Sequence, residues 1–194
     1  MRSVVSSVIA VVVFTLVLGL GYPAVMTGFA AVAFPDKAKG SLIERDGKVV
    51  GSSLVAQEFK SPRYFHTRPS GTSPAYNAAA TTFANLGPTN PDLAKNVKAA
   101  ANAILELEGP YNPGLTIGDI PVDAVTTSAS GIDPHISPAY AELQAPRIAS
   151  VREIPLDQVH QLIDDNTDGR SLGFFGEPGV NVLELNLALD KETS

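Results

Sequence analysis

Residues 3–35 read SVVSSVIAVVVFTLVLGLGYPAVMTGFAAVAFP, a run without a single charged side chain. The hydrocarbon core of a bilayer, ~30 Å thick, is crossed by about 20 helical residues, so this run is long enough to span it. We therefore predict a transmembrane helix over residues 8–30, a short N-terminal tail over 1–7 before it, and one soluble domain over 36–194 after it.

A cleaved signal peptide is the alternative interpretation of the same run. Arg2 supplies a minimal positive N-terminal region, and Ala31, Val32 and Ala33 form a small-x-small cleavage sequence. The apolar part of a signal peptide normally measures about 7 to 15 residues, however, and this one is about twice that length. Length therefore favours the anchor.

The remainder of the chain is acidic. Of the 194 residues, 14 are Lys or Arg and 20 are Asp or Glu. All of these charged residues except Arg2 follow the apolar run. The chain beyond the run therefore has 13 basic and 20 acidic residues and a formal charge of −7. Nucleic-acid binding is disfavoured because phosphates need a basic face. The absence of cysteine excludes disulfides, thiolate zinc sites and cysteine nucleophiles.

The charges on either side of the predicted span are a weak guide to its orientation in the membrane. Lys37, Lys39, Arg45 and Lys48 follow the predicted span, whereas Arg2 alone precedes it. The positive-inside rule would then put the large domain in the cytoplasm, but long domains can be translocated regardless of such charges.

Several elements can be placed beyond the span. Asp46-Gly47 suits a tight turn between short strands over 41–45 and 48–50, and a loop-rich stretch over 62–91 is either an ordered binding loop or an exposed flexible one. Helices are predicted from Asn90-Pro91 to Gly109-Pro110, from Ser137-Pro138 towards Val151 with a kink or break at Pro146, and over 156–163.

The end of the chain alternates Leu183, Leu185, Leu187 and Leu189 with other residues, which predicts a half-buried strand. Together these elements predict an α+β fold, in which one N-terminal transmembrane helix precedes a single mixed α/β soluble domain.

Catalytic signatures are weak. The glycines at 169, 173, 176 and 179 are not followed by Gly-Lys-Ser/Thr, so we interpret them as turn glycines rather than a phosphate cradle. Neither His66 nor His160 has a ligand at zinc spacing, and no metal site is predicted.

A serine hydrolase could use Ser128 or Ser130 with His135 and either Asp133 or Asp123. The Gly-x-Ser-x-Gly sequence is absent around both serines, and Asp133-Pro134-His135 is more typical of a turn before the helix cap at Ser137. We therefore assign no catalytic residue.

Residues 59–68 interleave aromatic and basic side chains, including Phe59, Arg63, Tyr64, Phe65 and Arg68. Tyr and Arg are enriched at protein-contact hot spots. A half-buried strand with a charged, solvated face fits the same composition, so both interpretations stay open.

Longer sequence blocks resemble one known family over nearly the whole chain, the KdpC family of the Kdp potassium-transporting ATPase of bacteria and archaea. The most specific block is GIDPHISP at 131–138. The supporting blocks are GYP at 21–23, GSSL at 51–54 with Gln57 and Phe59, YFHTRPS at 64–70, YN at 76–77, NLGPTNP at 85–91, PVD at 121–123, Thr126, Ser128, Ser130, Gln144, Arg147, Arg152, GEP at 176–178, VNVL at 180–183 and LN at 185–186.

The resemblance implies a single-span, non-catalytic subunit of a potassium pump in the cell membrane. Its implied partners are a channel-like potassium-translocating subunit, a P-type ATPase subunit and a small single-span subunit, besides the lipid bilayer. The family is described as a catalytic chaperone that raises the ATP affinity of the ATPase subunit, so ATP would associate through that subunit and no cofactor would be tightly bound.

The resemblance also places the soluble domain on the outer face of the membrane, where ATP is absent. We therefore expect an outer location and an ATP effect that is transmitted indirectly. The residues expected to contact partners are Tyr64, Phe65, Arg68, Asp133 and His135.

One departure from the family bears on ATP: Thr81-Thr82-Phe83-Ala84 stands where Ser-Gly-Gly-Ser is usual, which weakens any nucleotide contact by this loop. Two alternatives from other classes remain, a membrane-anchored or secreted serine hydrolase and a stand-alone extracytoplasmic binding module.

Overall fold

A computed structural model describes residues 1–81 and 85–192. Residues 82–84, which belong to the Thr81–Ala84 segment that differs from the usual family sequence, thus lie outside the described residues. The chain divides into two compact units, residues 1–50 and 51–194.

The first unit begins with a long apolar helix. It comprises α1 (Arg2–Phe14), a π-helical segment (Thr15–Gly21) and α2 (Tyr22–Ala33), and none of these residues is buried within the protein. Together they give one helix of 32 residues, long and apolar enough to cross a membrane. The described residues therefore contain one candidate membrane span, and its helix begins at Arg2.

A short helix and a hairpin follow: α3 (Pro35–Ala38), β1 (Leu42–Arg45) and β2 (Lys48–Ser52), with β1 and β2 paired. Asp46 and Gly47 join the two strands with φ angles of 53° and 72°. These left-handed values are what a tight two-residue turn requires, and they confirm the hairpin that Asp-Gly predicts.

The second unit contains five α-helices and a small sheet in the part that the structure describes. The helices are α4 (Pro91–Glu108), α5 (Val122–Val125), α6 (Pro138–Arg152), α7 (Leu156–Asp165) and α8 (Val182–Glu192), with a 3₁₀ turn at Ile117–Asp119. The strands β3 (His135–Ile136), β4 (Thr167–Asp168) and β5 (Gly179–Asn181) form an antiparallel sheet in the order β3-β5-β4. The predicted α+β class is confirmed.

Helix starts follow the predicted capping residues. The side chain of Asn90 accepts a hydrogen bond from the Asp92 amide at 2.9 Å, and that of Ser137 accepts one from the Tyr140 amide at 3.1 Å. Each cap satisfies a backbone N–H that has no partner within its helix. The helices predicted from Asn90 and Ser137 are confirmed, as is the helix predicted from Leu156.

We predicted a kink or a break at Pro146; the break is wrong, because α6 runs through Pro146 to Arg152. Proline removes one backbone hydrogen bond. The side chains around it are buried in the core, among them Ala145, Ile148 and Ala149, and their packing keeps the helix continuous.

The predicted C-terminal strand is also wrong. Residues 182–192 form helix α8, which buries Val182, Leu183, Leu185, Asn186 and Leu189. Four of these, all except Leu183, recur with the spacing of one helix face, and the alternating leucines masked that spacing. The strand at this end is β5, directly before the helix.

The core lies between these helices and the sheet. It includes Phe65, Tyr140, Ile148, Ile163, Val180 and Leu185. In the described part of residues 53–90 no helix or strand forms, and this stretch instead wraps the core.

Candidate functional site

Three of the predicted contact residues meet in one cleft. Arg68, Asp133 and His135 line a cavity of about 720 Å³, together with Asp123, Asp168 and the 175–179 segment. The cleft forms where the loop before β3 faces the β4–β5 hairpin.

Arg68 is fixed by the loop that follows α5. Its Nη1 lies 3.1 Å from Asp133 Oδ2, its Nε donates to the Thr126 carbonyl at 3.3 Å, and its Nη2 donates to Thr126 Oγ1 at 3.3 Å. A guanidinium holds several acceptors at once because its donors form a rigid fork. Arg68 therefore ties its own segment to the loop after α5 and to the turn before β3.

Asp133 remains ionised in this setting. Its Oδ1 accepts from the His135 backbone amide at 3.0 Å. The His135 ring, and after it the Arg68 guanidinium, lower the pKa of Asp133 below its ordinary value. The carboxylate therefore acts as a charged anchor for the turn before β3.

His135 lies between two carboxylates. Its Nδ1 is 3.8 Å from Asp133 Oδ1, and its Nε2 is 3.6 Å from Asp168 Oδ2 on β4. Asp133 foremost, and then Asp168, raise the pKa of His135 above its ordinary value, against a partial burial that lowers it. A protonated His135 therefore bridges the loop before β3 to the β4–β5 hairpin.

Proton titration provides a prediction with a definite sign. His135 should titrate above pH 6.5, whereas His66, whose pKa is lowered chiefly by burial, should titrate below it. A base whose pKa is raised by folding stabilises the fold below its ordinary pKa and loses that contribution as the pH rises through the raised pKa. His135 should therefore stabilise the fold most below pH 6.5 and progressively less above it, and His66 should favour unfolding as the pH falls below 6.5.

The measurement is NMR titration of the full chain in detergent with ¹³C-labelled histidine, assigned by His135→Gln and His66→Gln. Asp133→Asn should lower the midpoint of His135, and Asp168→Asn should lower it less, because Asp133 is the stronger influence on that pKa. A His135 midpoint at or below pH 6.5 would show that the carboxylates do not act on the ring.

The residues considered for a serine hydrolase are not arranged as a triad. Ser128 Oγ and Ser130 Oγ accept from the backbone amides of Gly131 and Ile132, and both ring nitrogens of His135 face carboxylates. A nucleophilic serine needs a hydrogen bond to the base. No such bond from His135 to either serine forms in the described structure.

Asp123 accepts hydrogen bonds from Ser137, the residue that caps α6. Its two carboxylate oxygens accept from the Ser137 amide at 2.7 Å and from Ser137 Oγ at 2.8 Å. Ser137 in turn caps α6. Asp123 is thus engaged in positioning α6 and does not orient the His135 ring.

Tyr64 and Phe65 lie away from this cleft. Phe65 is fully buried in the core, so the contact with a partner that we predicted for its side chain is not available. Tyr64 is half-buried: its hydroxyl donates to Asp190 Oδ2 at 3.2 Å, and the Arg152 guanidinium lies 4.8 Å from its ring centroid. The aromatic and basic residues of 59–68 therefore serve core packing and internal polar contacts as well as the surface.

Residues 62–66 form a strap, a segment without helix or strand that side chains hold in place. Every one of its five backbone carbonyls accepts a side-chain hydrogen bond: the donors are Arg147 to Pro62, Arg152 to Arg63, Arg147 to Tyr64, Asn186 to Phe65 and Gln144 to His66. Gln144 and Asn186 also accept from the backbone amides of His66 and Phe65, at 2.7 and 2.8 Å. The two amide side chains thus replace the neighbouring strand that the strap lacks.

Arg147 is the centre of this arrangement and is fully buried. Besides the strap it binds Gln144 Oε1 and Glu108 Oε1, each at 2.9 Å. In the described structure Glu108 Oε2 has no partner, and burial raises the pKa of Glu108 although Arg147 opposes the shift. A fully buried ion pair therefore links α4, α6 and the strap.

Our sequence reasoning missed the role of these polar residues. Gln144, Arg147 and Asn186 entered only as parts of the family resemblance, and Glu108 did not enter at all. No helix face in the sequence pointed to them, because α6 is buried on several sides and the segment of Asn186 was predicted as a strand. Buried polar side chains are normally hydrogen-bonded.

The loop predicted over 62–91 is ordered in its first part. Ser70 Oγ donates to the Gly131 carbonyl at 2.6 Å, and the Tyr76 hydroxyl donates to the Arg68 carbonyl at 3.0 Å. The first bond holds the loop against the turn that carries Asp133, and the second joins two residues of the loop itself. Among the described residues, no group of three or more His, Cys, Asp or Glu side chains could hold a metal ion.

Comparisons with known proteins match the chain almost from end to end. The family model described as "KdpC: K+-transporting ATPase, c chain" matches residues 4–191. The chain is similar to the potassium-transporting ATPase KdpC subunits of Bradyrhizobium diazoefficiens, with 47% identity over 98% of both chains, and of Methylococcus capsulatus, with 50% identity over 95% of both. The corresponding protein of Mycobacterium tuberculosis is 47% identical over 98% of both chains.

Proposed function

Because the chain belongs to the KdpC family of the K+-transporting ATPase, we propose that it is a membrane-anchored, non-catalytic subunit of an ATP-driven potassium pump. The observation that carries this proposal is the match over residues 4–191, which includes both the apolar helix and the folded unit after it. The match therefore covers the whole architecture of this chain, a candidate span followed by an α+β unit.

The anchoring helix supports a role inside a membrane complex. We place the span over residues 8–30 of the 32-residue apolar helix and the soluble domain over 36–194. Partners of such a protein are the channel-like potassium-translocating subunit, the P-type ATPase subunit and the small single-span subunit. The chain would hold these together and stabilise the assembly.

The soluble domain lies on the outer face of the membrane in this proposal. Its formal charge of −7 would repel the polyphosphate of a nucleotide, which fits a location where nucleotide is absent. The cleft also offers little to a phosphate, because the guanidinium of Arg68 is already paired with the carboxylate of Asp133. An effect on the ATP affinity of the ATPase subunit is then transmitted through the assembly, without direct contact to ATP.

Within the complex, the cleft of Arg68, Asp133 and His135 offers a partner a polar surface. Its charged groups are held by internal contacts and remain partly exposed. Such pre-organised groups fix the orientation of a complex more than they add affinity.

Co-purification tests this function. The full chain, tagged at its C-terminus and expressed with the pump operon under potassium limitation, should leave detergent membranes with a large membrane ATPase whose activity is stimulated by potassium. A stand-alone binding module would be recovered without that ATPase, which would contradict the proposal.

The variant Ser130→Ala distinguishes the proposed pump subunit from the alternative of a serine hydrolase. Ser130→Ala should leave the potassium-stimulated ATPase activity of the complex unchanged within about twofold, since the hydrogen bonds of Ser130 Oγ in the described structure are with the Ile132 amide and Ser128 Oγ of its own turn. An esterase or peptidase activity of the purified chain that disappears in Ser130→Ala would instead favour the hydrolase.

A further inference from the structure

The β4–β5 hairpin ends in an exposed apolar tip. Residues 169–178 read GRSLGFFGEP, and the tip consists of residues 171–175. Leu172, Phe174 and Phe175 are 83%, 64% and 57% exposed, and the two phenylalanine rings are 4.1 Å apart between centroids. A cluster of large apolar side chains on a protrusion marks an interaction site, because water contact with so much apolar surface is unfavourable.

The tip is rigid. Ser171 and Phe175 exchange two backbone hydrogen bonds of 2.9 Å, and the Gly173 amide donates to the Arg170 carbonyl at 3.0 Å. Leu172 has a φ of 54°, a left-handed conformation that is costly for a residue with a side chain. Pre-organisation of this kind lowers the entropy lost on binding, so the tip is built to contact a partner with little rearrangement.

The charges around the tip decide between a lipid surface and a protein. Residues 164–177 contain four acidic side chains, at 164, 165, 168 and 177, and one basic side chain, Arg170. The side chains of Asp168 and Glu177 are 80% and 79% exposed; Glu177 pairs with Arg170 and Asp168 faces His135, and the segment nevertheless keeps a negative formal charge. Protein surfaces that bind membranes peripherally are typically flanked by Lys and Arg. The acidic flank disfavours lipid headgroups and suits a protein surface with basic residues.

The tip is also continuous with the cleft, since Phe175 and Glu177 line the cavity that contains Arg68, Asp133 and His135. A partner that covers the tip therefore reaches the mouth of the cleft as well. The apolar and charged parts then form one contact surface with an apolar centre and a polar rim, the usual anatomy of a protein interface.

We propose that the 171–175 tip inserts Leu172, Phe174 and Phe175 into an apolar recess of another pump subunit, and that the rim of this recess carries Lys or Arg side chains. The inference rests on the proposed function, because it takes the partner from the same complex. It adds which part of this chain makes the contact and which chemistry the partner presents.

Site-specific photocrosslinking tests the contact directly. p-Benzoylphenylalanine replaces Phe174 in the full chain, expressed with the whole pump, and Ile117, an exposed apolar residue in the 3₁₀ turn, serves as the matched control position. We expect a crosslink from position 174 to a pump subunit at a yield about tenfold above that from position 117, as a hot-spot contact implies. The crosslinked peptide should contain apolar residues with Lys or Arg nearby.

Other crosslinking results would overturn the inference. These are a crosslink to lipid, equal yields at the two positions, no crosslink from position 174, or a crosslinked peptide whose only charged neighbours are acidic. Co-purification of the wild-type chain with the ATPase, measured in the same preparation, keeps the two proposals apart. If the wild type recovers the ATPase and position 174 does not crosslink, only the tip inference fails; if the wild type recovers no ATPase, the proposed function fails.

The double substitution Phe174→Ser/Phe175→Ser provides an independent measurement. It should lower the amount of ATPase that co-purifies about tenfold, while Ile117→Ser leaves it unchanged. Pulse proteolysis shows whether the double variant is folded, and if it is not, the crosslinking result decides. A folded double variant that recovers as much ATPase as the wild type would overturn the inference.

Discussion

Arg147→Met should lower the free energy of unfolding of the 51–194 unit by about 3–5 kcal/mol, because it breaks a buried ion pair by removing one partner. The substitution leaves Glu108 buried without its countercharge, and it removes the donors to the Pro62 and Tyr64 carbonyls. Native domains are stable by only about 5–15 kcal/mol, so a large fraction of the total would be lost.

Pulse proteolysis of the full chain in detergent, over a urea series, measures this loss. Arg63→Met is the matched control, because Arg63 lies on the same strap but is exposed, and among the described residues its side chain donates one long bond, of 3.5 Å, to the Val151 carbonyl. We expect the control to change stability by less than about 0.5 kcal/mol. A loss below about 1 kcal/mol for Arg147→Met would show that this side chain does not hold the strap.

A second substitution separates charge from hydrogen bonding. Glu108→Gln added to Arg147→Met should recover part of the stability, since no unpaired charge then remains in the core. The loss of stability that remains in the double variant is then due to the strap carbonyls that no longer receive hydrogen bonds from Arg147. If the double variant is as unstable as the single one, unpaired backbone groups rather than the Glu108 charge account for the effect.

Local signals in the sequence were sufficient for much of the fold. The Asp-Gly turn, the caps at Asn90 and Ser137 and the apolar stripe of α7 depend on a few adjacent residues, and each is present where it was predicted. The continuous α6 and the helical α8 depend on tertiary packing, which overrides a proline and an alternating pattern of leucines.

The candidate site was predictable only in part, for the same reason. GIDPHISP brings Asp133 and His135 together through neighbouring residues in the chain. The contact of Arg68 with Asp133 and that of His135 with Asp168 join distant residues, and spacing along the chain does not reveal them. The buried roles of Phe65 and Arg147 likewise follow from how the strap crosses α6 and α8.

The location of the soluble domain is the most consequential feature of the proposed function, because it decides whether the chain can touch ATP. The sequence has no cysteine, so a single introduced thiol is a unique label. Lys98→Cys places it on the exposed surface of α4, and Ser3→Cys places it at the opposite end of the candidate span. A chain that crosses the membrane once must present these two thiols on opposite sides.

Labelling of both variants with a membrane-impermeant maleimide, in intact and permeabilised cells, is therefore the most direct test. We predict that the thiol at position 98 is labelled in intact cells and that the thiol at position 3 is labelled only after permeabilisation. The reverse pattern would place the soluble domain in the cytoplasm and contradict our account, in which the ATP effect is transmitted through the assembly. Labelling of both positions in intact cells would equally contradict a single span.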